Sequence, residues 1–170
     1  MAGEPWDRVT PPGPDQPPLL GALMRAVQMA GALETVLELS VTYAQERQQF
    51  GSALNRFQFI QGHLADLAGE VALAGAAVDL AIAGPDEFSI AAARVRCGEA
   101  VTAGTALAHQ IHGAIGFTDE HQLHHFTRRL WSWRDEFGTE SEWAIRLGRQ
   151  VAGMGAGLWA GLTTGPGQAS

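Results

Sequence analysis

The chain has 170 residues, a formal net charge of −7 at pH 7, and 11 basic residues, all arginine. That length suits one domain with a real core, and an acidic chain without a basic cluster argues against a nucleic-acid partner. The single cysteine, Cys97, leaves neither an internal disulfide nor a cysteine metal cluster, and its apolar helical surroundings mark it as core.

Residues 1–18 differ in composition from the rest of the chain. The run PPGPDQPP forms neither a helix nor a central strand, so 1–18 is expected to be a disordered, proline-rich tail or linker. Its start, MAGEPWDRV, lacks the basic-then-apolar pattern of a signal peptide. No stretch of eighteen unbroken apolar residues exists, so no membrane span is expected and the expected compartment is the cytoplasm. Residues 161–170 are expected to be a second flexible tail, leaving 19–160 as the folded unit.

Within that unit the period is helical. Leu20, Leu23, Val27, Ala30, Leu33 and Leu37 form one apolar stripe, with Arg25, Gln28, Glu34 and Glu38 off it. The stretch 43–58, YAQERQQFGSALNRFQ, reads as the end of this helix, a tight break at Gly51–Ser52 and the start of the next. Arg47 stands three residues before Phe50. A rigid donor fork beside an aromatic face suits a pyrophosphate and a planar ring; the alternative is a helix–helix turn with Phe50 as its apolar plug.

Leu54, Phe57, Ile60, Leu64, Leu67, Val71, Ala74 and Val78 make the second stripe. Gly84–Pro85 breaks it. Pro85 fits the first position of a third helix, with Asp86 and Glu87 favourable to its dipole. This helix runs through Ile90, Val95, Val101 and Leu107 to about Ile111, and the glycines at 113 and 116 end it. A shorter helix is expected after Thr118, reaching Trp131 and Trp133. Thr139 and Glu142 have capping-box spacing and open a last helix through Trp143, Leu147 and Val151. No strand alternation is sustained. The expected fold is all-α, an antiparallel four-helix bundle with an extra short helix. Small residues on several faces (Ala72, Ala74, Gly75, Ala76, Ala77; Ala91 to Ala93) suit packing against further subunits.

Two other stretches carry chemistry-bearing residues. In HQIHGAIGFTDEHQLHHFTRR, 109–129, Gly113 and Gly116 let a backbone approach a ligand, and Gln110 both donates and accepts hydrogen bonds. His121 and His125 are four apart, but the acid of H-E-x-x-H is absent, so surface or interface histidines are expected and no metal. In WRDEFGTESEW, 133–143, a glycine turn meets a helix start. Its acids cap that helix, or a phosphate sits there.

Taken in order, these stretches resemble the C-terminal domain of the acyl-CoA dehydrogenases. The pattern Y-x-x-x-R-x-x-F-G with a following F-Q is met by Tyr43, Arg47, Phe50, Gly51, Phe57 and Gln58. Q-x-x-G-G-x-G-[FY] is met by Gln110, Gly113, Ala114, Gly116 and Phe117, with Ala114 in place of the second glycine. An arginine-bearing helix, Arg128–Arg129, then leads to Phe137, Gly138 and Thr139 where the family has E-G-T. The resemblance covers about Leu19 to Val151. It implies a bundle that oligomerises and binds FAD between subunits. Arg47 and Phe50 would touch the flavin nucleotide of a neighbouring subunit, with Gln58 completing their motif. Gln110, Gly113, Ala114 and Gly116 would meet its diphosphate and adenosine end, and Thr139 the diphosphate of its own subunit's FAD.

The residue before G-T is the family's catalytic base, and here it is Phe137, which accepts no proton. Glu136 is one residue early. Some branches of the family place the base in the first bundle helix, which corresponds to Gly21–Ala22. The family's N-terminal helical and middle β-domains have no counterpart in this sequence, so it is expected to be either a fragment or a chain that works only beside a fuller partner. The resemblance implies one of two functions. One is FAD-linked α,β-dehydrogenation of an acyl-CoA thioester within a homo- or hetero-oligomer, with an electron-transfer flavoprotein as acceptor. The other is a non-catalytic, oligomerising and flavin-supporting subunit of a full-length acyl-CoA dehydrogenase. A helical bundle unrelated to the family and without a ligand is the third.

Overall fold

The proline run ends where the first helix begins. In the computed structural model, which describes residues 18–118 and 121–154 (backbone alone for Phe117), Pro18 caps that helix and its carbonyl accepts the Ala22 N–H at 2.9 Å. The tails expected at 1–17 and 161–170 lie outside the described residues. Helix α1 spans Leu19–Glu46, α2 Gln58–Ala83, α3 Glu87–His112, α4 Leu123–Asp135 and α5 Glu140–Met154.

Three pairs of neighbours set the directions. Met29 meets Arg94, Leu33 meets Gly104 and Tyr43 stacks on His112, so α1 and α3 run the same way. Leu67 lies against the same Gly104 and Glu70 pairs with Arg96, so α2 runs opposite to both. Helices α4 and α5 run one after the other back along α3: Leu123 lies by Gly116, Glu140 by Gly98, and Arg146 reaches Glu87 at 3.6 Å. The result is the expected antiparallel bundle, with its fourth rod broken at 136–139. By length and composition α1 is apolar enough to cross a membrane, but its buried side packs on α2 and α3 as a core helix does.

The buried face of α1 is rotated from the expected stripe. Leu20 is 71% exposed, whereas Ala22, Ala26, Met29, Leu33 and Val36 are fully buried. Close approach of helices favours the alanines at 22 and 26 over Leu20 and Val27, while Leu33 stays in the core. Arg25, expected off the stripe, is buried with them. The second stripe holds: Ile60, Leu67, Val71, Ala74 and Val78 are all buried.

The connections also differ in detail. Between α1 and α2 the chain forms a hairpin, β1 (Gln48–Gln49) pairing antiparallel with β2 (Ser52–Ala53), followed by a 3-10 turn at Leu54–Arg56. Its turn residues Phe50 and Gly51 both take positive φ, 51° and 78°, the geometry that suits the twist of a two-residue hairpin. Pro85 precedes the cap of α3 instead of opening it. Asp86 is the cap, its side chain accepting from Ser89 N–H at 2.7 Å while its own N–H donates back to Ser89 Oγ at 3.2 Å. The Thr139–Glu142 box forms as expected, with Thr139 N–H to Glu142 Oε2 at 2.8 Å and Glu142 N–H to Thr139 Oγ1 at 3.3 Å.

One arginine ties the fourth rod to the rest. Arg94 lies in the core stripe of α3 and is 1% exposed. Its Nη2 donates to the carbonyls of Arg134, Glu136 and Gly138, each at 2.9 Å. Burial pulls the guanidinium below its ordinary pKa, but arginine stays protonated at any working pH. Nearby, burial pushes the Cys97 thiol up to about 12, with Arg94 and Arg96 opposing, so Cys97 is an inert core residue.

Arg94→Met is expected to cost about 2–4 kcal/mol in urea unfolding, because three partly buried carbonyls lose a charged donor. Arg96→Met, whose partners Glu70 and Glu99 are partly exposed, should cost less than about 1 kcal/mol in the same assay.

Candidate functional site

The loop between α4 and α5 is shaped by what its neighbours lack. Phe137 has a φ of 57°, an uncommon conformation for an aromatic residue, and Gly138 comes next at 104°. A side chain at 138 would begin 2.9 Å from Trp143 Nε1, which donates to the Phe137 carbonyl at 3.1 Å, so only glycine fits there. The Phe137 ring lies against α1 at Gly21: a Cβ on Gly21 would sit 2.7 Å from Cε1 and 2.8 Å from Cδ1. The two sequence positions implied as places for a base, 137 and 21, are therefore in contact. Neither carries a group that accepts a proton.

Glu136 points elsewhere. Its Oε2 accepts from Arg25 Nε at 2.6 Å and also pairs with Arg25 Nη2. Arg25 in turn donates to Gln28 Oε1 at 2.6 Å and lies 5.4 Å over the Trp133 ring. The carboxylate is thus held by a buried cation against α1. Thr139 is exposed; its hydroxyl oxygen accepts the cap bond, and its proton is available to an acceptor from outside.

The other candidate residues gather at the far end of the bundle. Arg47 closes α1, its N–H donating to the Tyr43 carbonyl at 2.9 Å, and among the described residues its guanidinium has no partner. Phe50 is 94% exposed and touches Phe57 edge-on at 6.4 Å, so it is not the buried plug that the alternative reading required. Gln58 opens α2 and is exposed; the carbonyl of Asn55 is bonded by Gln61 instead. Gln110 is exposed on the last turn of α3. Gly113 has a φ of 63° with open space where a Cβ would be, and Ala114 is exposed beside it. Gly116 differs: a Cβ there would meet His112 Cβ at 3.0 Å, His109 Nδ1 at 3.2 Å and Leu123 Cδ2 at 3.2 Å, so its smallness serves internal packing.

His121 and His125 do not come together. His121 turns towards Tyr43 and His112, with ring centroids at 5.8 and 4.6 Å, while His125 lies tilted against His124 at 3.8 Å.

The candidates thus form two groups. From Arg94, level with Phe137, to Gln110 is sixteen residues of α3, or roughly 24 Å at 1.5 Å per residue. Arg47, Phe50, Gln110 and Gly113 form one group; Glu136, Phe137 and Thr139 form the other. The first offers an unpaired guanidinium, a bare aromatic face and an open glycine, all outward. Such a set fits a phosphate-bearing planar ligand held partly by a second chain. Two contributors, Arg25 and Arg94, are not among the site residues that the sequence patterns single out. Arg94 leaves a signal all the same, since it stands among Ile90, Cys97 and Val101 at core spacing, where a lone arginine must find partners.

Comparisons agree with this reading of the fold. The acyl-CoA dehydrogenase C-terminal domain matches residues 20–150. Acyl-CoA dehydrogenase IpdE2 of Mycolicibacterium smegmatis is 38% identical over 130 residues, covering 76% of this chain and 42% of that protein. 3-Sulfinopropanoyl-CoA desulfinase of Paraburkholderia xenovorans is 35% identical over 159 residues, 86% of this chain and 40% of that protein. Butyryl-CoA dehydrogenase from Megasphaera elsdenii superposes with a TM-score of 0.73 at 26% identity, over 77% of this chain and 36% of that one. The ChsE4-ChsE5 complex from Mycobacterium tuberculosis gives 0.72 at 25% identity, over 79% and 38%. The chain spans about two fifths of the length of the curated relatives it matches.

The Phe137–Gly21 contact has a signed test. Gly21→Ala should lose about 1 kcal/mol by overpacking, although alanine is the better helix former. In a Phe137→Ala background the same change should gain up to about 1 kcal/mol, because only the helix preference remains. Urea unfolding of the four proteins measures both.

Proposed function

Because the chain belongs to the acyl-CoA dehydrogenase family, we propose that it serves an FAD-linked dehydrogenase of CoA thioesters as a subunit that supports flavin and does not supply the base. The observation that carries this is the Phe137 ring seated on Gly21, which fills both base positions with hydrocarbon and bare backbone. Glu136 does not replace them, since Arg25 holds its carboxylate. A general base has to reach the proton it removes before its pKa matters.

In this proposal the flavin is shared between chains. Arg47 would donate to a phosphate oxygen, Phe50 would cover an apolar ring face, and Gln110 and the open backbone at Gly113 would approach the nucleotide's other end. Thr139 would donate its hydroxyl proton to a second nucleotide's phosphate, at the other group of residues. Bound FAD supplies a hydride acceptor, which no side chain can be. What this chain adds is orientation, charge compensation and exclusion of water on its side of the cofactor. The partner is proposed to be a full-length acyl-CoA dehydrogenase subunit that brings the base and the acyl-CoA pocket. The ChsE4-ChsE5 complex among the structural neighbours supports a heteromeric arrangement. An electron-transferring flavoprotein is the proposed acceptor, and the cytoplasm the proposed setting, where a lone buried thiol stays reduced.

Assayed alone with FAD and a range of acyl-CoAs, the chain should show no dehydrogenation. Co-purified with its full-length partner, it should carry flavin. There, Arg47→Ala should weaken FAD by one to two decades, about 1.5–3 kcal/mol for a charge-assisted contact, and unchanged flavin content would remove Arg47 from the site. Glu136→Gln should leave the partnered rate nearly intact. A fall of about a hundredfold, the usual worth of a general base, with fold and flavin unaltered, would identify Glu136 as the base and sink the proposal.

A further inference from the structure

Helix α2 carries a second apolar stripe that the bundle leaves bare. Its buried side packs on α1 and α3. On the other side Phe59, Leu73 and Leu80 are 68%, 55% and 71% exposed, and they share one position of a seven-residue repeat, with Asp66 in the remaining place. Three residues after each of the four stands a small one: Gly62, Gly69, Ala76 and Ala83, all exposed. The steps from 59 to 83 therefore alternate three and four, the period of a seam along which two helices pair. A Cβ on Gly62 or Gly69 would meet nothing within 4 Å, so packing inside the chain does not call for glycine there. Among the exposed residues of α2 only Asp66 and Asp79 are charged, whereas a solvated helix face carries charge along its length.

We propose that this seam pairs two copies of the chain, α2 against α2 in antiparallel order about a two-fold axis level with Val71, in a reversible homodimer. A second copy is the occupant because the pattern is its own complement. Antiparallel pairing sets the large position of one helix opposite the small position of the other. With the axis at Val71, Phe59 faces Ala83, Asp66 faces Ala76, Leu73 faces Gly69 and Leu80 faces Gly62. All four layers then hold one large and one small side chain, and each layer occurs twice. The glycines let the two backbones approach closely.

Charge and size both reject the parallel order. There each residue would meet its own copy. Two Asp66 carboxylates would face each other, and glycine would face glycine across a gap. From Phe59 to Ala83 the seam is about 36 Å long, and a helix is about 10 Å wide, so each copy covers about 360 Å². A standard interface takes about 800 Å² per partner, so this pair is weak and concentration-dependent, dissociating in the micromolar range or above. The pairing rests on neither the flavin nor the base reading, since it needs only the outer side of α2.

Sedimentation velocity of the full chain from about 1 μM to about 500 μM should show monomer passing into dimer. Gly69→Leu fills a groove of the seam while facing open space within its own chain. The dissociation constant should rise by about tenfold or more, and the thermal midpoint of the monomer should not fall, because leucine is the better helix former. Gly69→Leu with Leu73→Ala again sets large opposite small and should recover most of the affinity. Direction is read by cross-linking, since native Cys97 is buried and leaves an introduced thiol as the reactive one. Ala72→Cys, beside the axis, should join to its copy through a short bis-maleimide. Ala83→Cys, equally exposed but about 36 Å from its copy in the antiparallel pair, should not. A chain that stays monomeric throughout, or that is held only by a different protein, overturns the second copy as occupant. A Gly69→Leu dimer as tight as the unaltered one, an unrecovered double variant, or cross-linking through residue 83 in place of 72 overturns the seam.

Discussion

Arg94 is the point at which the bundle closes. Three helices joined by short connections pack without it, but α4 and α5 form a broken rod whose break exposes carbonyls to the core. A single buried nitrogen collects the carbonyls of residues 134, 136 and 138. The cation stays in the interior because these dipoles replace the water it gave up. The loop's odd features derive from that anchor. Its backbone is drawn inward, Phe137 is held at positive φ, and Gly138 turns the chain into the capping box at Thr139.

The anchor also decides what the loop presents. With residues 136 and 138 tied by their carbonyls, residue 137 projects onto α1, and Gly21 leaves room for a ring there. Glu136 faces the other way, into Arg25. Among the described residues the bundle's far end has no comparable tie. Its hairpin and glycine turn leave Arg47, Phe50 and Gly113 outward-facing. One end is thus tied inward by Arg94 and Arg25 and the other presents its groups outward, as the proposed supporting subunit would require.

The sequence discloses the helices, their order and the capping box at Thr139 because each depends on local periodicity or on residues three apart. It also discloses the motifs at 47–58 and 110–116. It misleads on the phase of α1: Leu20 and Val27 look like core but are exposed, and close helix packing selects Ala22 and Ala26. It hides Arg25 and Arg94, since a charge's burial depends on partners about forty residues away or more. The contact between 21 and 137 is equally hidden, joining distant positions through the absence of a side chain at one of them.

That contact has a bearing on descent. A side chain gained at 21 while Phe137 is in place would crowd the ring, so an acid at 21 is better accommodated once residue 137 has become smaller. An acid gained at 137 meets no such obstacle, because glycine at 21 makes no demand on its partner. Of the two routes by which a lineage could regain a base here, one takes a single step and the other goes more easily in order. The pair therefore favours one order over the other in the substitutions that positions 21 and 137 can accumulate.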